Sequence, residues 1–241
     1  MNLFKSFLLF MLLPAFVHAG DTTSVKQKRF AIGISASPDY CYRNLDVSLP
    51  SDATEIVSAS RNANEIPMIS FRAGINAEYR LTRVFGIEAG LSYSQQGFTT
   101  KPMDVTADCA TPPVVKTTEV RRSNFHYITI PVKANFRFGK GKIQFIATAG
   151  IVPSYLLFEQ STSRYHSGNN DSKTYRGDPN FINNPWGLYA NAGIGIDYHF
   201  GQRTGLKIQP DYSYGIIRTR SAQISEHLWN YGLNIGWYLR L

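Results

Sequence analysis

The residues best suited to chemistry are charged side chains that alternate with apolar residues and lie among glycines and small polar residues. Such charges can pair with one another or line a path for protons or small ions. Because buried charges must be paired, we favour a salt-bridge network over a gated ion path. The candidates are Arg72, Glu78, Arg80, Glu88, Lys133, Arg137, Asp197, Lys207, Asp211 and Arg240. All except Arg72, Lys133 and Asp211 lie near short turns or the C-terminus, and they are predicted to form one network at one end of the fold.

The histidines show no metal-binding or catalytic pattern. His126, His166, His199 and His227 have neither HxH nor HxxxH spacing, so no metal site and no cofactor is predicted. A hydrolase would need a serine, a histidine and an acid close together. Ser123 and His126 are near in sequence, but an offset of three in a strand points them to opposite faces. We therefore predict that the protein is not an enzyme.

The two cysteines and one oxygen-rich segment are the remaining candidate sites. Cys41 and Cys109 are predicted to form a disulfide if the chain is exported to an oxidising compartment, with two unbonded thiols as the alternative. The segment from Asp171 to Asn184 is rich in Asp and Asn, but its spacing matches no calcium loop. It is predicted to be a solvated loop.

Segments of strict alternation must position these residues. In the last fifteen residues, apolar or aromatic side chains occupy every second position from Trp229 to Leu241. A period of two over such a length indicates a strand long enough to cross a membrane. The segments with this pattern begin at Phe30, Met68, Phe85, Phe125, Lys142, Leu188, Leu206 and His227.

The connections between these eight segments alternate between long and short. The long ones cover about 41–66, 99–122 and 159–185, and an intermediate one covers about 218–226. Short turns on one side and long loops on the other are typical of outer-membrane barrels. The fold class predicted is all-β, an eight-stranded antiparallel transmembrane up-and-down β-barrel. A secreted soluble sandwich or lipocalin-like barrel is less favoured, because glycines crowd the polar face, where a narrow lumen needs room for large side chains.

Residues 1–19 have the features of a secretory signal peptide. Lys5 precedes an apolar run from Phe7 to Val17, and His18-Ala19 ends it near a small-residue cleavage site. Residues 20–241 would then form a single outer-membrane β-barrel domain. The net charge of +8 is scattered along the chain, which favours contact with outer-membrane lipids and lipopolysaccharide over nucleic acid.

Two stretches resemble the PorT-like small outer-membrane barrels of Bacteroidota. Tyr127-Ile-Thr-Ile-Pro-Val-Lys133 resembles that family's Tyr-Leu-Glu-Ile-Pro strand, with Thr129 where an acidic residue is usual. The C-terminal residues Asn234, Gly236, Leu239 and Leu241 are similar to a barrel-assembly signal. The resemblance implies an outer-membrane location and insertion by the barrel-assembly machinery.

These observations predict a structural or surface protein of the outer membrane that recognises a protein partner through its long loops. One alternative is a component of a protein-secretion machinery, as the PorT resemblance implies. A second is an outer-membrane lipid or peptide hydrolase. A pore is less favoured, since eight strands leave little open lumen.

Overall fold

The computed structural model describes residues 29–105, 117–166, 170–177, 185–201, 203–218 and 223–241, with 170–177 described by backbone alone. The one helix in these ranges is α1 (Asp52–Asn64). The strands are β1 (Phe30–Val47), β2 (Glu65–Ile66), β3 (Met68–Arg80), β4 (Phe85–Thr100), β5 (Met103–Asp104), β6 (Thr118–Thr129), β7 (Val132–Phe138), β8 (Ile143–His166), β9 (Asn170–Gly177), β10 (Trp186–His199), β11 (Thr204–Gly215) and β12 (Ile224–Arg240).

The strands form one antiparallel sheet that closes on itself. Neighbours around the ring are β1, β3, β4, then β6 and β7 together, then β8, β10, β11 and β12. The last strand closes the ring by pairing with the first, from Ala31 opposite Arg240 to Val47 opposite Ile224. Chain neighbours are therefore sheet neighbours, in an up-and-down order. The all-β antiparallel prediction is confirmed.

The predicted number of strands was wrong, since the sheet has twelve strands in the described ranges rather than eight. The ring itself has eight positions, but one of them is filled by two strands. Pro131 separates β6 from β7, because proline has no N–H to donate to the ladder. The other additions are β2, β5 and β9, which pair with ring strands β4, β6 and β8 beyond the ring.

The two ends of the ring differ. One end holds the short β3–β4, β7–β8 and β10–β11 connections, the start of β1 and the end of β12, and we call it "the turn end". We call the opposite end "the mouth". At the mouth β1, β6 and β8 continue five or more residues into stretches predicted as loops, and β8 reaches 24 residues. Cys41, predicted at the top of the first strand, therefore lies inside the ring, six residues before β1 ends.

The predicted loop after the first strand contains helix α1. Ser51 caps the helix by accepting from the Thr54 amide, while the Thr54 side chain accepts from the Ser51 amide. Asp52 and Glu55 lie in the first turn and Arg61 in the last, which suits the helix dipole. Among the residues that the structure describes, no helix has the length and apolar character needed to cross a membrane.

The two faces of the ring have opposite character. Outward positions carry exposed apolar side chains such as Ile75 and Ile194, while inward positions are buried and mostly polar. Aromatic pairs border the apolar belt, with Phe85–Phe136 at the turn end and Tyr155–Trp186 near the mouth. Such aromatic girdles mark the two interfaces of a membrane.

Glycines give the interior the space it needs. A Cβ on Gly33 would lie 2.7 Å from the Tyr238 ring, and one on Gly232 would overlap the Asp39 carboxylate. Large inward side chains on the neighbouring strand occupy that space instead. The glycines on the polar face are therefore a packing requirement of the filled interior.

Candidate functional site: a filled interior and a covered mouth

The turn end of the interior is filled by a network around Glu78 and Asp197. Arg137 joins the two carboxylates, with Nη2 2.5 Å from Glu78 Oε2 and Nε 3.0 Å from Asp197 Oδ2. Arg80 also joins them, 3.3 Å from Glu78 Oε1 and 3.4 Å from Asp197 Oδ2. Arg240, from the last strand, lies 3.6 Å from Asp197 Oδ1. Three arginines, one each from β3, β7 and β12, are thus held by two carboxylates.

Lys207 extends this network across the ring. Its Nζ forms an ion pair with Glu88 and lies 3.8 Å from Glu78 Oε2. Asn135 donates to both carboxylates, at 3.0 Å to Glu88 and 3.3 Å to Glu78. The structure therefore brings together all seven residues that the sequence places at this end. It adds Asn135, His199 and Tyr238, which sequence reasoning missed.

A second polar cluster lies closer to the mouth, around Asp211. Arg72 Nη2 is 2.9 Å from Asp211 Oδ1 and 3.5 Å from Asp39 Oδ1, and Lys133 Nζ is 3.7 Å from Asp211 Oδ2. Asn230 donates to Asp39 at 3.0 Å. This cluster holds the three remaining predicted charges, but Asp39 was missed, because it follows Pro38 near the predicted end of the first strand.

Nearer the mouth the interior becomes apolar. One contiguous cluster contains Phe98, Phe125, Tyr127, Val152, Leu156, Tyr189 and Leu228, each at most 6 % exposed. The sequence gives one sign of it, since Val152 breaks the polar face of the fifth predicted segment. Burial of large apolar side chains excludes water from this level of the ring.

Helix α1 is attached across the mouth by ion pairs. Glu65, directly after the helix, accepts from Arg43 at 2.6 Å and from Arg61 at 2.7 Å. Arg61 also pairs with Glu226 of β12 at 2.8 Å. Burial lowers the pKa of Arg61, but the hydrogen bonds and charges of Glu65 and Glu226 outweigh it, so that its pKa lies above the ordinary value. The guanidinium stays charged and lies 5.8 Å from the centre of the Phe98 ring.

Beyond the mouth, β5, β9 and the parts of β6 and β8 that pair with them form a projecting sheet that we call the ridge. Glu119 of β6 accepts from Arg121 at 3.1 Å. A hydrogen bond from the Ser163 side chain on β8, and then Arg121, lower the pKa of Glu119 from its ordinary value. The charged form of Glu119 therefore ties β6 to β8.

The histidines and the serine considered as catalytic or metal-binding candidates lie at separate places in the fold. His126 bonds to the Tyr93 hydroxyl and stacks on Phe158, while Ser123 lies on the other face of β6. His227 lies 2.8 Å from the Gly215 carbonyl, and His166 ends β8. Within the described ranges, His, Cys, Asp and Glu side chains form no cluster that could hold a metal ion.

Cys41 lies buried inside the ring, with Sγ 3.2 Å from Ser70 Oγ and 3.4 Å from the Met68 carbonyl. Cys109 falls outside the described residues, so the disulfide stays a prediction. The signal peptide also falls outside them, as do residues 178–184 of the oxygen-rich segment. The first half of that segment was predicted to be a loop, but it belongs to strand β9, which pairs with β8. The C-terminal Asn234, Gly236 and Leu239 lie in β12, which pairs with β1 on one side and β11 on the other, and Leu241 follows it.

A model of the outer membrane protein beta-barrel domain family matches residues 21–220. The chain belongs to this family. This membership places the barrel in the outer membrane, in agreement with the apolar belt and its aromatic borders. The comparison with curated proteins gave no match.

Several solved outer-membrane structures are similar to this barrel. Neisserial surface protein A is 12% identical, covering 88% of this chain and 97% of that chain with a TM-score of 0.45. OprG from Pseudomonas aeruginosa is 11% identical, with 92% and 100% covered and a TM-score of 0.41. The outer membrane protease OmpT from Escherichia coli is 8% identical, with 92% and 99% covered and a TM-score of 0.42.

The side chains that fill the barrel determine whether ions or ligands can enter it. Glu78, Asn135 and Gln209 are at most 2% exposed, and the charges around them are paired. The charges of the network are held by one another, although buried oxygens such as Asn135 Oδ1 and Asn191 Oδ1 have no hydrogen-bond partner among the described residues. The apolar cluster lies between this network and the mouth. Among the described residues, the ridge and the helix over the mouth are surfaces that extend beyond the apolar belt.

Proposed function

We propose that this protein is a sealed, non-enzymatic outer-membrane barrel that presents α1 and the ridge at the cell surface to recognise a protein partner. The length of β8 carries the proposal. Twenty-four residues at about 3.3 Å each and tilted about 40° rise roughly 60 Å, whereas the apolar band is about 25 Å tall. Even with the whole apolar stretch up to Leu157 placed in the membrane, the last nine residues of the strand rise roughly 20 Å above it.

The position of the apolar belt supports this orientation. On β8 the outward side chains are apolar from Ile143 to Leu157, and above Phe158 they become Gln160, Thr162 and Arg164. Short turns face the periplasm in this class of protein, so the mouth, α1 and the ridge face outward. A tied helix and a hydrogen-bonded sheet present a rigid surface, which lowers the entropic cost of binding a partner.

The resemblance of Tyr127–Lys133 to PorT-like barrels supports the alternative of a secretion component. In the barrel this segment spans the β6–β7 break, with Tyr127 in the apolar cluster and Lys133 beside Asp211. These residues face the interior, so this part of the resemblance is explained by packing. A partner bound at the turn end, on the periplasmic side, would favour this alternative.

Site-specific photo-crosslinking in living cells separates the two functions. A photoreactive amino acid replaces Ser60 on α1 or Arg121 on the ridge, and Lys140 in the β7–β8 turn serves as the matched control. We expect discrete protein adducts from the first two positions and none from Lys140. Adducts confined to Lys140, or absent from both surface positions, would contradict surface recognition.

A further inference from the structure

The outer wall formed by β4, β6 and β8 contains a polar groove directly above the apolar belt. Its volume is about 640 Å³, and its polar lining includes Gln95, Arg122, Asn124, Gln160, Thr162 and Arg164. We call it the basic groove, because its two charged residues are arginines and none of its described lining residues is acidic. This groove lies outside the barrel, where lipid rather than protein surrounds the wall.

The height of the groove is set by an aromatic cluster at the border of the belt. His126 lies 5.9 Å from Tyr93 and 4.2 Å from Phe158, measured between ring centres. Arg122 lies on β6 four residues before His126, in the direction of the mouth. At about 3.3 Å per residue and a tilt of about 40°, this corresponds to a rise of roughly 10 Å. Aromatic girdles lie at headgroup level, so the groove faces the headgroups of the outer leaflet.

Arg122 is held in place by the groove itself and still has donors available to a ligand. Arg122 donates from Nε to Asn124 Oδ1 at 3.1 Å and from Nη2 to the Ile69 carbonyl at 3.0 Å. Its remaining N–H groups can donate to a ligand, since a guanidinium has five. Arg122 pairs across the ladder with Thr162, so Arg164 is its diagonal neighbour, roughly 7–8 Å away between Cα atoms. One phosphate can contact both guanidinium groups at that spacing.

The amides of the groove suit a sugar. Gln95 Nε2 donates to Asn124 Oδ1 at 2.9 Å, and Gln160 pairs with Asn124 across the ladder. These groups can exchange hydrogen bonds with hydroxyl and amide groups of a glycan. Ile69, which also lines the groove, is 73% exposed, and below it Phe71 packs against Tyr93 at 5.6 Å. These side chains leave an apolar wall for acyl chains.

The opposite wall lacks these features. Between β1 and β12 the border of the belt is aromatic, with Tyr40 6.3 Å from Trp229. Above it, Arg218 is neutralised by Asp46 at 3.0 Å. Of the described residues on these two walls, the arginines that have no paired carboxylate lie on the β4–β6–β8 wall at headgroup height.

We propose that the basic groove binds the phosphorylated glucosamine headgroup of lipopolysaccharide. Arg122 and Arg164 pair with a phosphate, the amides contact the sugar, and acyl chains run down the wall past Ile69 and Phe71. Arginine suits this task, because its planar fork matches phosphate geometry. The inference rests on the outer-membrane location and is independent of recognition at the mouth.

Native mass spectrometry of the full barrel in detergent tests the groove with defined lipids. The probes are bisphosphorylated lipid A, its dephosphorylated form and phosphatidylglycerol. The variant Arg122→Gln/Arg164→Gln is compared with Arg83→Gln/Arg203→Gln, which removes the same charge at the turn end. We expect the groove variant to weaken lipid A binding at least about tenfold and the control variant to leave it unchanged, since charge-assisted hydrogen bonds are lost in the first alone.

Three results would overturn the assignment. Equal weakening in both variants would show general charge attraction, and unchanged binding in the groove variant would place the lipid elsewhere. Phosphatidylglycerol binding as tight as lipid A, and lost in the same variant, would show a site for any anionic headgroup. A heat-dependent shift in electrophoresis confirms that each variant is folded, and Arg122→Lys/Arg164→Lys should retain part of the affinity.

Discussion

At the scale of single residues, Arg137 carries much of the polar network, because it joins Glu78 and Asp197 within the ring. Breaking a buried ion pair leaves an uncompensated charge, at a cost of about 3–5 kcal/mol. We expect Arg137→Ala to lower the free energy of unfolding by about that amount. Urea unfolding in detergent micelles measures it.

The matched control is Arg83→Ala in the exposed β3–β4 turn, which should change stability by less than about 0.5 kcal/mol. Equal effects of the two substitutions would contradict a structural role for the network.

The apolar cluster near the mouth can be tested with two adjacent leucines. Leu156 is 1% exposed inside the ring, and Leu157 is 38% exposed on the outer wall. Leu156→Ala should destabilise the barrel by about 2–5 kcal/mol, since it removes buried surface and leaves a cavity. Leu157→Ala should cost less, because it leaves no cavity. The same urea experiment compares them, and a larger loss at Leu157 would reverse the inward and outward assignment.

Charge at alternating positions was enough to predict most of the interior network. All seven residues predicted near the turn end meet there. The period of two determines which face of the sheet each side chain is on, and the distance from the turn determines its height in the barrel. Asn135 and His199 were missed, since the network was predicted from Asp, Glu, Lys and Arg alone. Asp39 was missed because Pro38 suggested that the strand ended there.

At the scale of elements, α1 depends on Glu65. This carboxylate holds Arg43 of the ring and Arg61 of the helix. We expect Glu65→Gln to leave the ring folded but to raise amide hydrogen exchange across residues 53–63 at least about tenfold, because hydrogen bonds to a charged group contribute about 1.5–3 kcal/mol. Glu55→Gln, on the first turn, is the control. Unchanged exchange in Glu65→Gln would show that α1 is held by other contacts.

The helix and the strand extensions were the elements that the sequence analysis missed. The Ser51–Thr54 capping pair and the acidic first turn are signals that could have predicted α1. The extensions beyond the mouth are harder to predict, because above the membrane both faces are polar and the alternation fades. The ridge is instead defined by long-range pairing, such as Glu119 opposite Tyr165.

At the scale of the whole molecule, a filled interior predicts an insulating barrel. Reconstituted into planar bilayers, the protein should show no stepwise conductance, because paired charges and the apolar cluster fill the lumen. An open porin in the same bilayer is the positive control. Reproducible steps that scale with salt concentration would contradict the sealed interior.

The central claim is that a sealed barrel presents α1 and the ridge at the cell surface. The most direct test labels intact cells with a membrane-impermeant maleimide, in a background where Cys41 and Cys109 are replaced by alanine. Ser60→Cys reports on α1, and Lys140→Cys reports on the turn end. The account predicts labelling of Ser60→Cys on intact cells and of Lys140→Cys only after the outer membrane is permeabilised. The reverse pattern, or no protection of Lys140→Cys, would contradict it.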